Sequence, residues 1–498
     1  MMHSKLTKNR LTLLIIGTAA VSSMLALVSL TKWSIWHDEG YSIMLAQYPA
    51  GELVQRTALD VHPPLYYLLL RGWGLTFGWS IVSLRLLSVL CATVAVALAL
   101  LICHRLFGRR PTLILAPLLA VAPVITRYAQ EVRMYAFAMC MVLIFLYAYI
   151  LASKPPRSRK WLALMAVSGA LLPYIHYFAA LVLLVPIAIE LRRAGIARSL
   201  RSLPASFLAV YAVIAVVFLP WVPQLLAQLR AVESGFWIGP VSTSSVLSTL
   251  GSFVFFRPEW GSWRLVQGWA VLAFALAAMT FLLVRRTMQQ RRAVIVALGW
   301  LLPIGLLFVL SVLGYDYYYD RYFATFAPLY FMSLAVGLAT IKTRRQIMAY
   351  ALPLALMLAI GIYNTQSAGN NYGHRKGDEF SMKQLSGYIE KRADDSTPVI
   401  GADLWVYFDL RAYRVAAGNP EPLMLLDDLA KPPGKYGNGS LVYNRSDILV
   451  DKHVVSAMDS FWYVSQRDSD VAARLPAGFT RTDSLQVGYA KAELYKKQ

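Results

Sequence analysis

Residues 11–39 read LTLLIIGTAAVSSMLALVSLTKWSIWHDE, an uncharged run of twenty residues, then a short aromatic stretch, then a histidine and two adjacent carboxylates. A run of that length without a charge can cross a bilayer as a helix. Lys5, Lys8 and Arg10 precede it. A cleaved signal peptide would show a shorter apolar core and a small-residue cleavage site, so 11–31 reads as the first spanning helix.

The pattern recurs. Of 498 residues, 57% are hydrophobic, more than a water-soluble domain carries. Further spans are expected near 81–103, 112–126, 135–152, 161–175, 177–190, 204–221, 265–284, 293–313, 322–341 and 346–363. The loops between alternate spans are short basic clusters: Arg105/Arg109/Arg110, Lys154/Arg157/Arg159/Lys160, Arg192/Arg193/Arg198/Arg201, Arg285/Arg286/Arg291/Arg292 and Lys342/Arg344/Arg345. With about eleven spans they all share one side with the N-terminus, which the positive-inside bias makes cytoplasmic. The fold class expected is therefore an α-helical, multi-pass protein of the cytoplasmic (inner) membrane, N-terminus in and C-terminus out.

The net charge of +21 invites a nucleic-acid reading, but its distribution argues against one. Residues 1–363 carry 31 Lys+Arg and 10 Asp+Glu, whereas 364–498 carry 17 of each. The excess belongs to the membrane part, where it sets orientation. The membrane part is expected to be one domain, 1–363, and the charge-balanced remainder, 364–498, a soluble extracytoplasmic α/β domain. In that remainder 381–392 and 404–414 read as helices, and 398–400, 423–426, 441–443 and 461–464 as strands. Cys91, Cys103 and Cys140 all fall in apolar runs, leaving no disulfide framework in the C-terminal region.

The outer face holds different chemistry. Nine of the ten acidic residues of 1–363 fall there: Asp38, Glu39, Glu52, Asp60, Glu131, Glu233, Glu259, Asp316 and Asp320, against Glu190 alone on the other side. Carboxylates at a low-dielectric boundary are costly, so their clustering is a site hypothesis; a plain alternative is that outer loops are simply less basic. The outer segment 32–80 contains amphipathic pieces at 41–47 and 65–73 that suit the interface plane.

Four segments carry candidate chemistry. In Trp36-His37-Asp38-Glu39, one carboxylate can take a proton from an attacking hydroxyl, and the pair can help hold a divalent cation; a solvated acid pair is the alternative. In Asp60-Val61-His62-Pro63-Pro64-Leu65, the prolines can start a helix, placing His62 at its mouth, where anions are favoured. A helix-entry turn with an interfacial histidine is the competing reading. In Gln130-Glu131-Val132-Arg133-Met134-Tyr135, Arg133 can fork onto phosphate oxygens and Glu131 can orient it, unless the two merely tie the loop together. In Tyr315-Asp316-Tyr317-Tyr318-Tyr319-Asp320-Arg321-Tyr322, the tyrosines fit an aromatic belt, while Arg321 at the head of a span needs a partner or a ligand. His176, in an outer turn, reads as interfacial.

Taken together and in this order, Asp38-Glu39, His62-Pro63-Pro64-Leu65 and Gln130-Glu131-Val132-Arg133-Met134-Tyr135 resemble the GT-C superfamily of membrane glycosyltransferases, specifically the family 39 protein-mannosyltransferase-like and lipid-core (Rgt-type) branch. The resemblance is clearest over 10–190. It implies an inverting glycosyltransferase with a polyprenyl-monophosphate-sugar donor. It implies Asp38 as the base, with Glu39 beside it for acceptor or cation. It also implies that Arg133, His62 and Arg321 are the cations for the lipid phosphate, with Glu131, Asp60, Tyr135 and His176 in acceptor or secondary places. Members differ in metal dependence, so Mg or Mn at Asp38 and Glu39 stays open and no other cofactor is implied. The partners implied are the lipid-linked sugar, membrane lipid, and a glycan, lipid or protein acceptor. Two other functions compete: a lipid-linked glycan transporter or flippase, disfavoured by span interiors nearly free of charge, and a polymerase or ligase using diphosphate-linked donors. A membrane-anchored binding protein acting through 364–498 is a third.

Overall fold

The computed structural model describes all residues except 1–5, 155, 195–203, 234–237, 256–287, 368–380, 393–396, 420–422, 427–448, 468 and 470–474. The expected span 265–284, Glu259, Arg198, Arg201, Arg285, Arg286 and the expected strand 441–443 lie outside the described residues. The chain packs as two compact units, which do not follow a division after residue 363. One gathers Met1–Val28, Ser88–Gln130 and Met134–Gln366; the other gathers Ser29–Leu87, Glu131–Arg133 and Ser367–Gln498.

Among the described residues, seven helices are long and apolar enough to cross a membrane: Lys8–Val28, Ile81–Phe107, Tyr135–Ala152, Ala205–Val232, Arg292–Val312, Asp320–Thr340 and Arg344–Ser367. An eighth counts if the bent pair Arg109–Ala120 and Pro123–Ala129 is one span. The expected span 112–126 is thus broken by 52°. Pro123 opens the second piece and has no N–H to continue the ladder of the first. The expected spans 161–175 and 177–190 are a 17-residue helix, Arg159–Ile175, followed by a 3-10 turn and the shorter helix Leu184–Ala194. At 1.5 Å per residue the first of these is about 26 Å long, slightly short of the hydrocarbon core.

In the first unit the outermost helices turn leucines such as Leu13 (69% exposed) and Leu352 (62%) away from the protein. Such faces call for lipid as the solvent. Inside the unit, two buried polar pairs tie helices together. The Tyr149 hydroxyl donates to Glu190 at 2.9 Å, and the Trp300 indole donates to Ser333 at 3.0 Å.

The second unit is built on a six-stranded mixed sheet in the order β3-β2-β1-β4-β6-β5. The strands are β1 (Val399–Gly401), β2 (Leu423–Leu426), β3 (Leu449–Val450), β4 (Ser460–Gln466), β5 (Phe479–Val487) and β6 (Ala490–Lys497). β1, β2, β3 and β4 pair in parallel, while β6 runs antiparallel to both β4 and β5. Ile400, Ala402, Leu426, Val450, Val455, Phe461 and Tyr463 form the core on the sheet. Between β1 and β2 the chain crosses over through the helix Leu404–Ala417. The Asp403 side chain caps it by accepting from the Val406 N–H at 3.0 Å, and Gly418 (φ +84°) ends it in a conformation only glycine adopts cheaply. The same unit holds the short helices His37–Gln47, Ala50–Ala58 and Leu65–Phe77, which account for the amphipathic pieces read in 32–80.

Candidate active site

The helix His37–Gln47 begins right after Trp36, whose side chain offers no cap. Glu39, at the third helical position, does the capping by reaching back to the Trp36 N–H at 3.5 Å. Asp38 and Glu39 both lie in the first turn, where the helix dipole favours negative charge.

The two carboxylates nevertheless part company. Glu39 is fully buried. One of its oxygens accepts from Arg85 Nε at 3.0 Å and from the Val132 N–H at 2.9 Å. The other accepts from Arg85 Nη2 at 2.9 Å. Arg85 also donates to the carbonyls of Leu30, Trp33 and Ser34. This buried fork ties the segment ahead of the helix, the helix itself and the 131–133 segment into one piece.

Asp38 keeps a partly exposed side chain (15%). One carboxylate oxygen is 3.2 Å from His37 Nε2, and the other is 3.7 Å from Arg133 Nη2. Arg133 is itself buried. Its Nη1 donates to the Asp38 carbonyl at 3.2 Å, to the Ser42 hydroxyl at 3.1 Å and to the Tyr67 hydroxyl at 3.5 Å. Its Nη2 is 3.3 Å from His62 Nε2, and His62 Nδ1 is 3.0 Å from Asp60. A guanidinium can only donate, so His62 Nε2 is the acceptor and Nδ1–H donates to Asp60. Asp60, His62, Arg133 and Asp38 therefore form one chain of contacts. Pro64 stands at the head of the helix Leu65–Phe77, as the Pro-Pro dipeptide suggested, and His62 sits just before it.

The other named residues fall elsewhere. Glu131 is buried in the same unit. Tyr135, His176 and Arg321 belong to the first unit. There His176 packs among the rings of Tyr135, Phe178 and Tyr322 at 5.8, 5.7 and 5.4 Å between centroids. Arg321 lies over the Tyr319 ring at 4.9 Å. The sequence reading overlooked Arg85, a charge inside an apolar run whose cost was itself a signal. It also overlooked Ser42 and Tyr67, which nothing in the sequence distinguishes from neighbouring polar and aromatic residues.

The donor set does not suit a divalent cation. Both Glu39 oxygens are committed to N–H donors, and Asp38 sits beside Arg133 and His37. Among the described residues no group of three or more His, Cys, Asp or Glu is arranged to hold a metal ion.

The fold is the GT-C glycosyltransferase fold. Residues 61–223 match the family described as dolichyl-phosphate-mannose-protein mannosyltransferase. ArnT from Cupriavidus metallidurans, bound to undecaprenyl phosphate, superposes with a TM-score of 0.64 at 14% identity, over 98% of each chain. The archaeal oligosaccharyltransferase AglB from Archaeoglobus fulgidus, in complex with an inhibitory peptide and a dolichol-phosphate, gives 0.52 at 13% identity, over 92% of this chain and 69% of that one. The arabinofuranosyltransferase AftD from Mycobacteria gives 0.50 at 16% identity, over 100% of this chain and 42% of that one. No curated protein matches the sequence.

Proposed function

We propose that the protein is an inverting glycosyltransferase. It moves a sugar from a polyprenyl-monophosphate carrier to an acceptor hydroxyl on the outer face of the cytoplasmic membrane. The observation that carries this reading is the contact chain Asp60–His62–Arg133–Asp38. It sets a partly exposed carboxylate beside a preorganised guanidinium.

The chemistry follows from these groups. Asp38 takes the proton of the acceptor hydroxyl as its oxygen attacks the anomeric carbon. The bond from that carbon to the carrier's phosphate oxygen breaks on the opposite face, so configuration inverts and the lipid phosphate leaves. Arg133, held by Ser42, Tyr67 and the Asp38 carbonyl, meets the charge growing on that phosphate. Its 3.7 Å contact with the Asp38 carboxylate is loose enough to be exchanged for a phosphate oxygen. His62 fixes the second edge of the guanidinium, and Asp60 fixes the His62 tautomer.

The carrier class is supported by ArnT and AglB, whose structures hold undecaprenyl phosphate and dolichol-phosphate, and by the match over 61–223 to a dolichyl-phosphate-mannose family. The outer placement rests on the basic clusters of the alternate loops. The test is mass spectrometry of envelope glycans from cells with the parent protein or Asp38→Asn, together with purified enzyme offered monophosphate and diphosphate carriers side by side. One sugar missing in the variant, and transfer from the monophosphate carrier alone, are expected. An Asp38→Asn protein that retains most transfer overturns the assignment.

A further inference from the structure

We infer that the helix Leu404–Ala417 of the C-terminal region is the positioning element for Asp38, holding the turn that carries this carboxylate together with Glu39 and Arg85. The inference deepens the catalytic reading above and rests on it.

Four contacts bracket Asp38. Before it, the Ile35 N–H donates to the Tyr413 hydroxyl at 2.8 Å. Next to it, the His37 ring meets Trp405 edge-on at 3.6 Å between centroids and lies 6.1 Å from Phe408. Beyond it, Gly40 packs so closely that a Cβ there would collide with the Phe408 carbonyl and crowd the Asp409 N–H. One residue further, the Tyr41 ring stands edge-on to Phe408 at 5.3 Å. Tyr41 in turn packs edge-on against Tyr67, whose hydroxyl Arg133 reaches.

Two packed helices touch somewhere in any compact unit. Here the contacts come from residues 35, 37, 40 and 41, while residue 39 is held by Arg85. Asp38 is left facing Arg133 with its turn held by Arg85 and by this helix. Backbone against backbone at Gly40 is also a stiff contact, since neither partner has a rotamer to change. A shift of the Leu404–Ala417 helix therefore moves the carboxylate relative to Arg133, and misplacement by about 1 Å can lower a rate by ~10²-fold.

The test uses the full-length protein and two variants at residues that do not touch the reacting atoms, Gly40→Ala and Tyr413→Phe. The second differs from the parent by one buried hydroxyl, so it remains informative if Gly40→Ala does not fold. Three quantities are read: sugar transfer in cells, as the mass of envelope glycans at matched protein level; binding of undecaprenyl phosphate to purified protein; and amide exchange over residues 36–41. The expectation is transfer lowered about ten- to a hundredfold, carrier binding within about twofold of the parent, and faster exchange over 36–41. A merely structural role would weaken binding and transfer together. Parental transfer and exchange in both variants, with Asp38→Asn inactive, overturns the positioning role and leaves the catalytic reading standing. If Asp38→Asn remains active, the catalytic reading fails instead, and exchange alone decides whether this helix holds the turn.

Discussion

Arg85 closes on both carboxylate oxygens of Glu39, at 3.0 and 2.9 Å, inside a unit where neither side chain meets solvent. This pair, adjacent in sequence to Asp38, is structural machinery. It aligns the chain before the site helix with the segment that carries Arg133.

Removing one partner of such a pair strands a buried charge. Glu39→Gln or Arg85→Ala should each destabilise the protein by about 3–5 kcal/mol, seen as lower thermal stability in detergent and poor yield. The double change Glu39→Leu with Arg85→Met should recover part of that loss, because no uncompensated charge remains. A double variant less stable than either single one would contradict this account.

Asp38→Asn keeps shape and removes the proposed base. Transfer should fall by ~10²–10⁴-fold while thermal stability stays close to the parent. The contrast with Glu39→Gln, which loses stability first, separates the roles of two neighbouring carboxylates.

Arg133→Lys retains charge but loses the planar fork that meets Ser42, Tyr67 and His62 together. Binding of undecaprenyl phosphate and transfer should both weaken. Asp60→Asn should leave binding nearly intact and lower transfer less than Asp38→Asn does, since it only frees the His62 tautomer. Equal losses in both variants would show that Asp60 acts directly.

Asp409 lies on the helix that grips the Asp38 turn. It is buried, one of its oxygens accepts from the Tyr489 hydroxyl at 3.2 Å, and the other has no hydrogen-bond partner among the described residues. Burial, with Glu39, Asp403 and Asp38 nearby, holds its carboxyl well above the usual carboxylate range. A raised folded-state value means the folded protein binds the proton more tightly than the unfolded chain. Stability from this group is therefore greatest below the ordinary carboxylate value and declines as pH rises toward the raised one. Asp409→Asn removes that decline. Its thermal stability relative to the parent should improve as pH rises above the ordinary carboxylate value of about 4, and a constant difference would show that burial does not raise this carboxyl.

The segments of the candidate site are legible in the sequence because each is local. Asp38 follows an apolar run directly, His62 is pinned by two prolines, and Arg133 stands between two spans. Glu39 misled for a geometric reason. At 3.6 residues per turn, neighbouring side chains leave a helix about 100° apart, so an Asp-Glu pair cannot converge on one ligand once it is helical. The bend at Pro123 is not legible in the sequence because apolar composition does not record direction. The hairpin of β5 and β6 escaped notice because its strands, such as FTRTDSLQV, lack an apolar face strong enough to show.

The amino-acid order by itself determined that this chain needs lipid, which loops are basic, and which short motifs gather carboxylates, histidine and arginine at the ends of apolar runs. Those properties are sums over neighbours along the chain. Only the tertiary structure decided that Glu39 belongs to Arg85, that His62 joins Asp60 to Arg133, and that a helix nearly four hundred residues downstream packs its backbone against Gly40. Such pairings depend on shape and on the direction in which side chains leave their helices, and linear spacing carries neither.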